Sequence, residues 1–229
     1  MTAERIAIHD QVSYESYLRL PAILSMQHPL TPRDDRATWA AERFFIVCHQ
    51  ASELWLAQIL VDLREAGDHA ELGDWACART TLERAVSQVG LLGAQLSQLA
   101  FLPRDSFMRF RLTLAGASGA DSRQFQELLD GPHHPQLRRI RAALDRAPAR
   151  AGSPASDSRS CGHDQCGVAQ ALDALIAGIV RWRELHADIA GGLIDNLPGT
   201  GGTDGVAFLR RQIAEAASDW AHHLASDLI

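Results

Sequence analysis

Residues 36 to 66 carry apolar side chains around most of a helical circumference, with Phe44, Val47, Leu54 and Ile59 on one flank and Phe45, Leu56, Leu60 and Leu63 on another. A helix that is apolar on nearly every side has to be surrounded by other elements, so this segment predicts the central helix of a bundle. The rest of the chain supplies the surroundings. An amphipathic segment with Tyr14, Tyr17, Leu18, Ile23 and Leu24 stops near His28-Pro29, and a long one from about 74 to 100 carries Trp75, Ala78, Leu82, Val86, Val89, Leu96 and Leu99. Pro103 breaks it, and Asp105 can cap a short helix bearing Phe107, Phe110 and Arg111 that ends at Ala117-Ser118-Gly119. Shorter helices are predicted around 122–129 and 135–144, and a final one from about 204 to 228. Residues 147–165, rich in Pro, Gly, Ser and Ala, read as a mobile surface loop. Strand-like alternation is hard to find and no internal repeat stands out, so the chain predicts one all-α domain over residues 1–229.

At 229 residues such a domain buries a core without staples. All 22 basic residues are arginine, and the net charge of −6 argues against a nucleic-acid surface. No apolar run reaches bilayer length and the N-terminus lacks a signal-peptide core, which predicts a cytoplasmic protein without membrane contact. Cys48, Cys77, Cys161 and Cys166 are too scattered for a disulfide framework, and reduced thiols are expected.

Chemistry-bearing residues stand on apolar faces. Leu172, Leu175, Ile179, Trp182, His186, Ile189 and Leu193 alternate in steps of three and four, so His186 points into the core of a long helix. A buried imidazole needs a hydrogen bond to a neighbour or a metal. His49 shares a face of the central helix with Leu56, Leu60 and Leu63; it is either a second site histidine or a core histidine bonded to a backbone carbonyl. Arg111 lies one turn from Phe107. Because guanidinium keeps its proton, it either pairs with an acidic residue of the chain or clamps a substrate carboxylate through two parallel hydrogen bonds. The loop Gly199-Thr200-Gly201-Gly202-Thr203 follows no strand and has no phosphate-loop lysine, yet its backbone offers N–H groups to a small anion. The Cys161-Gly-His163-Asp-Gln-Cys166 cluster falls short of four zinc ligands and reads as part of the mobile loop.

Four blocks together resemble the tryptophan 2,3-dioxygenases, within the histidine-ligated heme-dependent aromatic oxygenases. They are Tyr14-Glu-Ser-Tyr17-Leu18-Arg-Leu20-Pro21 through Gln27-His28-Pro29; Phe44-Phe45-Ile46-Val47-Cys-His49-Gln50 with Glu53-Leu54-Trp55; Phe107-Met-Arg-Phe110-Arg111 through Ser118-Gly119 to Phe125; and Arg181-Trp182-Arg183-Glu-Leu-His186 with Gly199-Thr200-Gly201-Gly202. The resemblance implies a helical bundle around a heme b pocket, with His186 as the iron ligand and Trp182, Gly199 and Gly201 beside the cofactor. It implies His49 as the distal histidine that accepts the indole N–H, and Arg111 and Thr200 as the clamp on the α-carboxylate. Thr200 and a heme propionate would hold the ammonium. Phe45, Leu114, Ser118 and the Tyr14, Tyr17 and Leu18 segment would surround the substrate. In the family that N-terminal segment enters a neighbouring subunit's site, which implies a homo-oligomer, usually a tetramer.

The expected activity is dioxygen insertion across the indole C2–C3 bond of tryptophan or a close analogue, giving an N-formylkynurenine. The chain departs from the family pattern at Ala40-Ala41-Glu42, Ala120-Asp121, Phe107, Gly192 and Leu197. These departures keep two alternatives open: a heme monooxygenase acting on an indole or other aromatic amino acid, and a heme-binding bundle without turnover.

Overall fold

A computed structural model describes residues 13–114, 116–129, 134–147 and 163–215. The described residues contain helices and no strand, as the periodicity predicts. Two short helices, α1 (Tyr14–Tyr17) and α2 (Leu20–Leu24), precede α3 (Arg36–Glu71) and α4 (Trp75–Leu96). Next come α5 (Arg104–Phe110), α6 (Arg123–Leu129), α7 (Pro135–Arg146) and α8 (His163–Ile194). Residues 206–215 are helical as well. The expected remainder of the final helix, and most of the expected mobile loop, lie outside the described residues; α8 starts at His163, inside the predicted loop.

Helix α3 is set by its cap. The Asp35 carboxylate accepts the Thr38 N–H at 3.2 Å, and the helix runs 36 residues before Gly73, in the left-handed region at φ +75°, turns the chain into α4. Asp74 repeats the device by accepting the Cys77 N–H. The main core joins Leu56, Ile59 and Leu63 of α3 to Leu82 and Leu92 of α4 and Val168, Leu172 and Leu175 of α8, with Leu137 and Ile140 of α7 against α3. Helix α4 is the middle layer: α3 and α8 each pack along it rather than along one another. A smaller cluster of Ala41, Leu102, Phe107, Phe110 and Ile194 closes one end of the bundle.

Several expectations need correction. Helix α3 is in fact long and apolar enough to cross a membrane. Its carboxylates show what it does instead. Glu42 is buried and accepts the Leu30 and Thr31 N–H groups and the Thr31 hydroxyl, Glu53 accepts the Ser122 hydroxyl, and fully buried Asp62 is gripped by Arg84, Gln58 and Gln88. A run interrupted by engaged carboxylates belongs to a bundle helix, but with α4 lying between α3 and α8 and with Val47, Leu54, Trp55 and Val61 exposed, α3 is a flanking helix and not the central one that its apolar circumference predicts. Cys166 is disulfide-bonded, its partner lying outside the described residues, while Cys48 and Cys77 are free. Scattered cysteines rule out a framework but leave room for one local bridge. Asp105 does not cap α5, which starts directly after Pro103; it sits in the first turn, where its charge favours the helix dipole. The element bearing Arg111 ends at Leu114 in a 3₁₀ turn, and Ser118 caps the next turn.

Candidate functional site

His49 is held by its own helix. Its Nδ1–H donates to the Phe45 carbonyl one turn earlier at 2.8 Å, and the Phe45 ring lies 3.9 Å from the imidazole centre. A carbonyl can only accept, so the proton belongs on Nδ1 and the Nε2 lone pair is left for another donor. Burial pushes the His49 pKa down, against smaller upward pulls from the Phe45 carbonyl and the Glu53 charge. The imidazole is therefore neutral near pH 7. Of the two alternatives the sequence poses, the backbone-carbonyl bond is present, and it leaves Nε2 as the ring's acceptor.

His186 sits on α8 under a different regime. Its ring stacks on Trp182 with centroids 5.5 Å apart and planes inclined by 14°, and Trp182 stacks in turn on Phe125 at 5.3 Å. Burial, reinforced by the His49 charge, pushes the His186 pKa down to about 4. Among the described residues it makes no hydrogen bond, so a neutral imidazole stands with its lone pair unclaimed. The buried Trp182 Nε1–H also lacks an acceptor there.

Around His49 the walls are aromatic. Phe45 lies 6.0 Å from Phe107 and 5.4 Å from Phe110, and those two meet edge-on at 5.3 Å. Arg111 follows directly on α5. No acidic residue pairs with it among the described residues; its guanidinium Nη2 donates to the Pro198 carbonyl at the mouth of the Gly199-Thr200-Gly201-Gly202 loop. That loop closes on itself, because the Gly199 N–H donates to the Thr203 carbonyl at 2.9 Å. Two glycines permit the closure. A Cβ on Gly199 would stand 2.5 Å from the Thr203 hydroxyl oxygen, and one on Gly205, itself at φ +64°, 2.4 Å from the Leu197 carbonyl oxygen. The loop also leans on the 116–119 segment, where a Cβ on Gly201 would meet that of Ser118 at 2.9 Å. Tertiary structure thus gathers Arg111, Ser118, Thr200 and Gly201 at one place. The Ser118 hydroxyl oxygen is already used, accepting the Ala120 N–H at 3.2 Å.

The N-terminal residues are not gathered. Tyr14 and Tyr17 are each 75% exposed, Leu18 is exposed too, and among the described residues α1 packs chiefly on α2. Leu114 is partly buried.

Two supporting residues carried no role in the sequence reading. Glu53, one turn after His49, accepts the Ser122 hydroxyl at 3.0 Å and so ties the start of α6, and with it Phe125, to α3. Gln50 donates to the Met26 carbonyl at 2.9 Å and accepts from Gln27 at 2.8 Å, fastening the segment that leads to the N-terminal helices. Their four-residue and one-residue spacings from His49 were the available signals, but partners 69 and 24 residues away were not.

Comparison with known proteins bears on this arrangement. A family model described as tryptophan 2,3-dioxygenase matches residues 2–141, a stretch that includes His49 and Arg111 and ends before α8. The tryptophan 2,3-dioxygenase of Nocardioides sp. is 32% identical over 248 residues, covering 89% of this chain and 90% of that protein. That of Anaeromyxobacter sp. is 27% identical, with 87% and 89% covered, and that of Pseudomonas fluorescens is 27% identical, with 89% and 87% covered.

Proposed function

Because the chain belongs to the tryptophan 2,3-dioxygenase family, we propose that it is a heme-dependent oxidoreductase that inserts both atoms of one dioxygen across the indole C2–C3 bond of L-tryptophan to give N-formylkynurenine. The observation that carries this reading is the pair of desolvated, neutral imidazoles, His49 on α3 and His186 on α8, borne by helices that pack on α4 rather than on each other. The residues present fit heme b. Among the described residues, His186 offers an unclaimed lone pair of the kind iron takes, and the buried Trp182 N–H is an unpaired donor of the kind a carboxylate-bearing cofactor satisfies.

Heme, when bound, supplies the activation of dioxygen. Everything else falls to the chain. His186 would hold the iron, with Trp182 fixing its ring plane by stacking and Gly199 and Gly201 admitting the cofactor edge to backbone. His49 Nε2 accepts the indole N–H, orienting the ring and offsetting positive charge that develops at the nitrogen during oxidation. No proton need leave beforehand, and the overall reaction is a balanced addition of dioxygen to tryptophan that requires no outside electrons. Arg111 and Thr200 take the α-carboxylate, the guanidinium being steered by its bond to the Pro198 carbonyl. The Thr200 hydroxyl, with a heme propionate, takes the ammonium, and Ser118 supports the loop. Phe45 and Leu114 exclude water from the ring. The exposed Tyr14, Tyr17 and Leu18 complete the site of a second copy, making the protein a homo-oligomer, in our reading a tetramer.

The test is the product formed from tryptophan under ¹⁸O-labelled dioxygen. N-formylkynurenine carrying two heavy oxygen atoms is expected. One heavy atom in a hydroxylated or epoxidised product would replace dioxygenation by monooxygenation, and no product from heme-loaded protein would reject the enzymatic reading.

A further inference from the structure

The turn between α3 and α4 gathers three metal-ligating side chains far from the histidine pair. His69 is in the last turn of α3, Asp74 caps α4, and Cys77 is in the first turn of α4. Gly73 at φ +75° makes the turn tight enough for the Asp74 N–H to donate to the His69 carbonyl at 2.9 Å. The His69 nitrogen, an Asp74 oxygen and the Cys77 sulfur all lie within 4.8 Å of one another. Twenty residues of helix separate His69 from His49, roughly 30 Å at helical rise.

The carboxylate divides its labour. One oxygen of Asp74 accepts the Cys77 N–H at 3.3 Å, while the other faces His69 Nδ1 at 3.4 Å. That second separation is too long for a good hydrogen bond. It does match the ligand–ligand edge of a tetrahedron built on zinc bonds, about 3.3–3.8 Å. The other acidic side chains of this turn are occupied, since Arg139 holds Asp68 at 2.8 Å and Glu71 at 2.7 Å. Cys77 is free and exposed, so its thiol is accessible.

We infer that His69, Asp74 and Cys77 form a surface site for a borderline divalent cation such as Zn²⁺, bound through one nitrogen, one oxygen and one sulfur. Water fills the fourth position, because the site opens to solvent. Binding converts the Cys77 thiol to thiolate, its proton going to solvent, and changes no oxidation state. The ion links the last turn of α3 to the first turn of α4, reinforcing the joint on which the central bundle hinges. The donor set selects the metal: thiolate and imidazole favour Zn²⁺ over Mg²⁺ or Ca²⁺, which take oxygen ligands.

The experiment titrates Zn²⁺ into the full chain as purified, by isothermal calorimetry, alongside Cys77→Ser, His69→Ala and Asp74→Asn. Asparagine keeps an acceptor for the Cys77 N–H and so preserves the helix cap while removing the anionic ligand. One saturable site per chain is expected, with at least a tenfold loss of affinity in each variant and no response to Mg²⁺. In parallel, Zn²⁺ should slow alkylation of Cys77 by iodoacetamide, read by peptide mass spectrometry; Cys48 is buried and serves as the internal reference. Binding weaker than millimolar, a smaller loss in any variant whose helical circular dichroism is intact, or an alkylation rate indifferent to Zn²⁺ would overturn the assignment.

Discussion

His49 on α3 and His186 on α8 lie near enough for the charge of one to act on the other, yet the chain holds them in opposite ways. His49 is tied to the Phe45 carbonyl, covered by the Phe45 ring and backed by Glu53, which itself reaches across to Ser122. His186 is positioned by stacking on Trp182 and makes no hydrogen bond among the described residues. One ring has its tautomer fixed before any ligand arrives; the other keeps a lone pair that no described residue claims. Such a difference is what two different tasks require. An orienting acceptor must be rigid and directional, whereas a metal ligand must be desolvated, neutral and unoccupied.

Removing each side in turn tests that division. The largest expected effect is from His186→Ala, which should abolish stoichiometric heme binding, read as loss of the Soret band, while far-UV circular dichroism keeps its helical signal. An unchanged Soret band would move the ligand elsewhere. Next comes Arg111→Leu, expected to lower kcat/KM for tryptophan by roughly two orders of magnitude or more, as loss of a charge-assisted pair costs about 2–5 kcal/mol. Tryptamine, which lacks the carboxylate, should be a correspondingly poor substrate of the unaltered protein; equal turnover of both would remove Arg111 from the clamp.

His49→Ala should be milder, lowering kcat about 10- to 100-fold, below the upper range for acid–base groups. The loss should shrink on 1-methyltryptophan, whose ring nitrogen has no proton to donate. A mutant inactive on tryptophan, yet normal in heme content and substrate affinity, would instead mark His49 as an obligatory base. The smallest effect concerns pH. The pKa of His186 in the heme-free fold is depressed to about 4, below the ordinary value of 6.5, so unfolding takes up a proton between those two values. The stability this neutral imidazole permits is complete above about pH 6.5 and declines as pH falls towards 4. Urea midpoints of the heme-free protein should therefore drop over that window with a slope approaching one proton, and His186→Ala should flatten the curve.

Much of the fold was legible because helical periodicity is a local property. The stripes through Leu56, Leu60 and Leu63 and through Leu172, Leu175, Ile179 and Trp182 recur as core residues. Local chemistry misled where a neighbour intervened. Asp105 is a good cap residue, but Pro103 started α5 before it. The apolar length of α3 meets a membrane criterion that its engaged carboxylates make irrelevant to its place in the bundle. The expectation of reduced thiols failed at Cys166, since pairing depends on spatial approach that scatter along a chain does not report.

Within the site, residue types and spacings alone nominated His49, Arg111 and His186, because an imidazole or guanidinium on an apolar face demands a partner wherever it lands. What those partners are was a tertiary decision. Only the folded chain puts Pro198 against Arg111 across 87 residues and Ser122 against Glu53 across 69, and only it leaves His186 without a hydrogen bond among the described residues. It also leaves Tyr14 and Tyr17 exposed, on an amphipathic segment that the family resemblance assigns to a neighbouring subunit's site. Periodicity states that a face is apolar, and the energy of burying it is indifferent to which surface does the burying. The sequence therefore determined the helices and the polar residues that needed answering, while hydrogen bonds, being short and directional, waited on the packing of α3 and α8 against α4 to choose their partners.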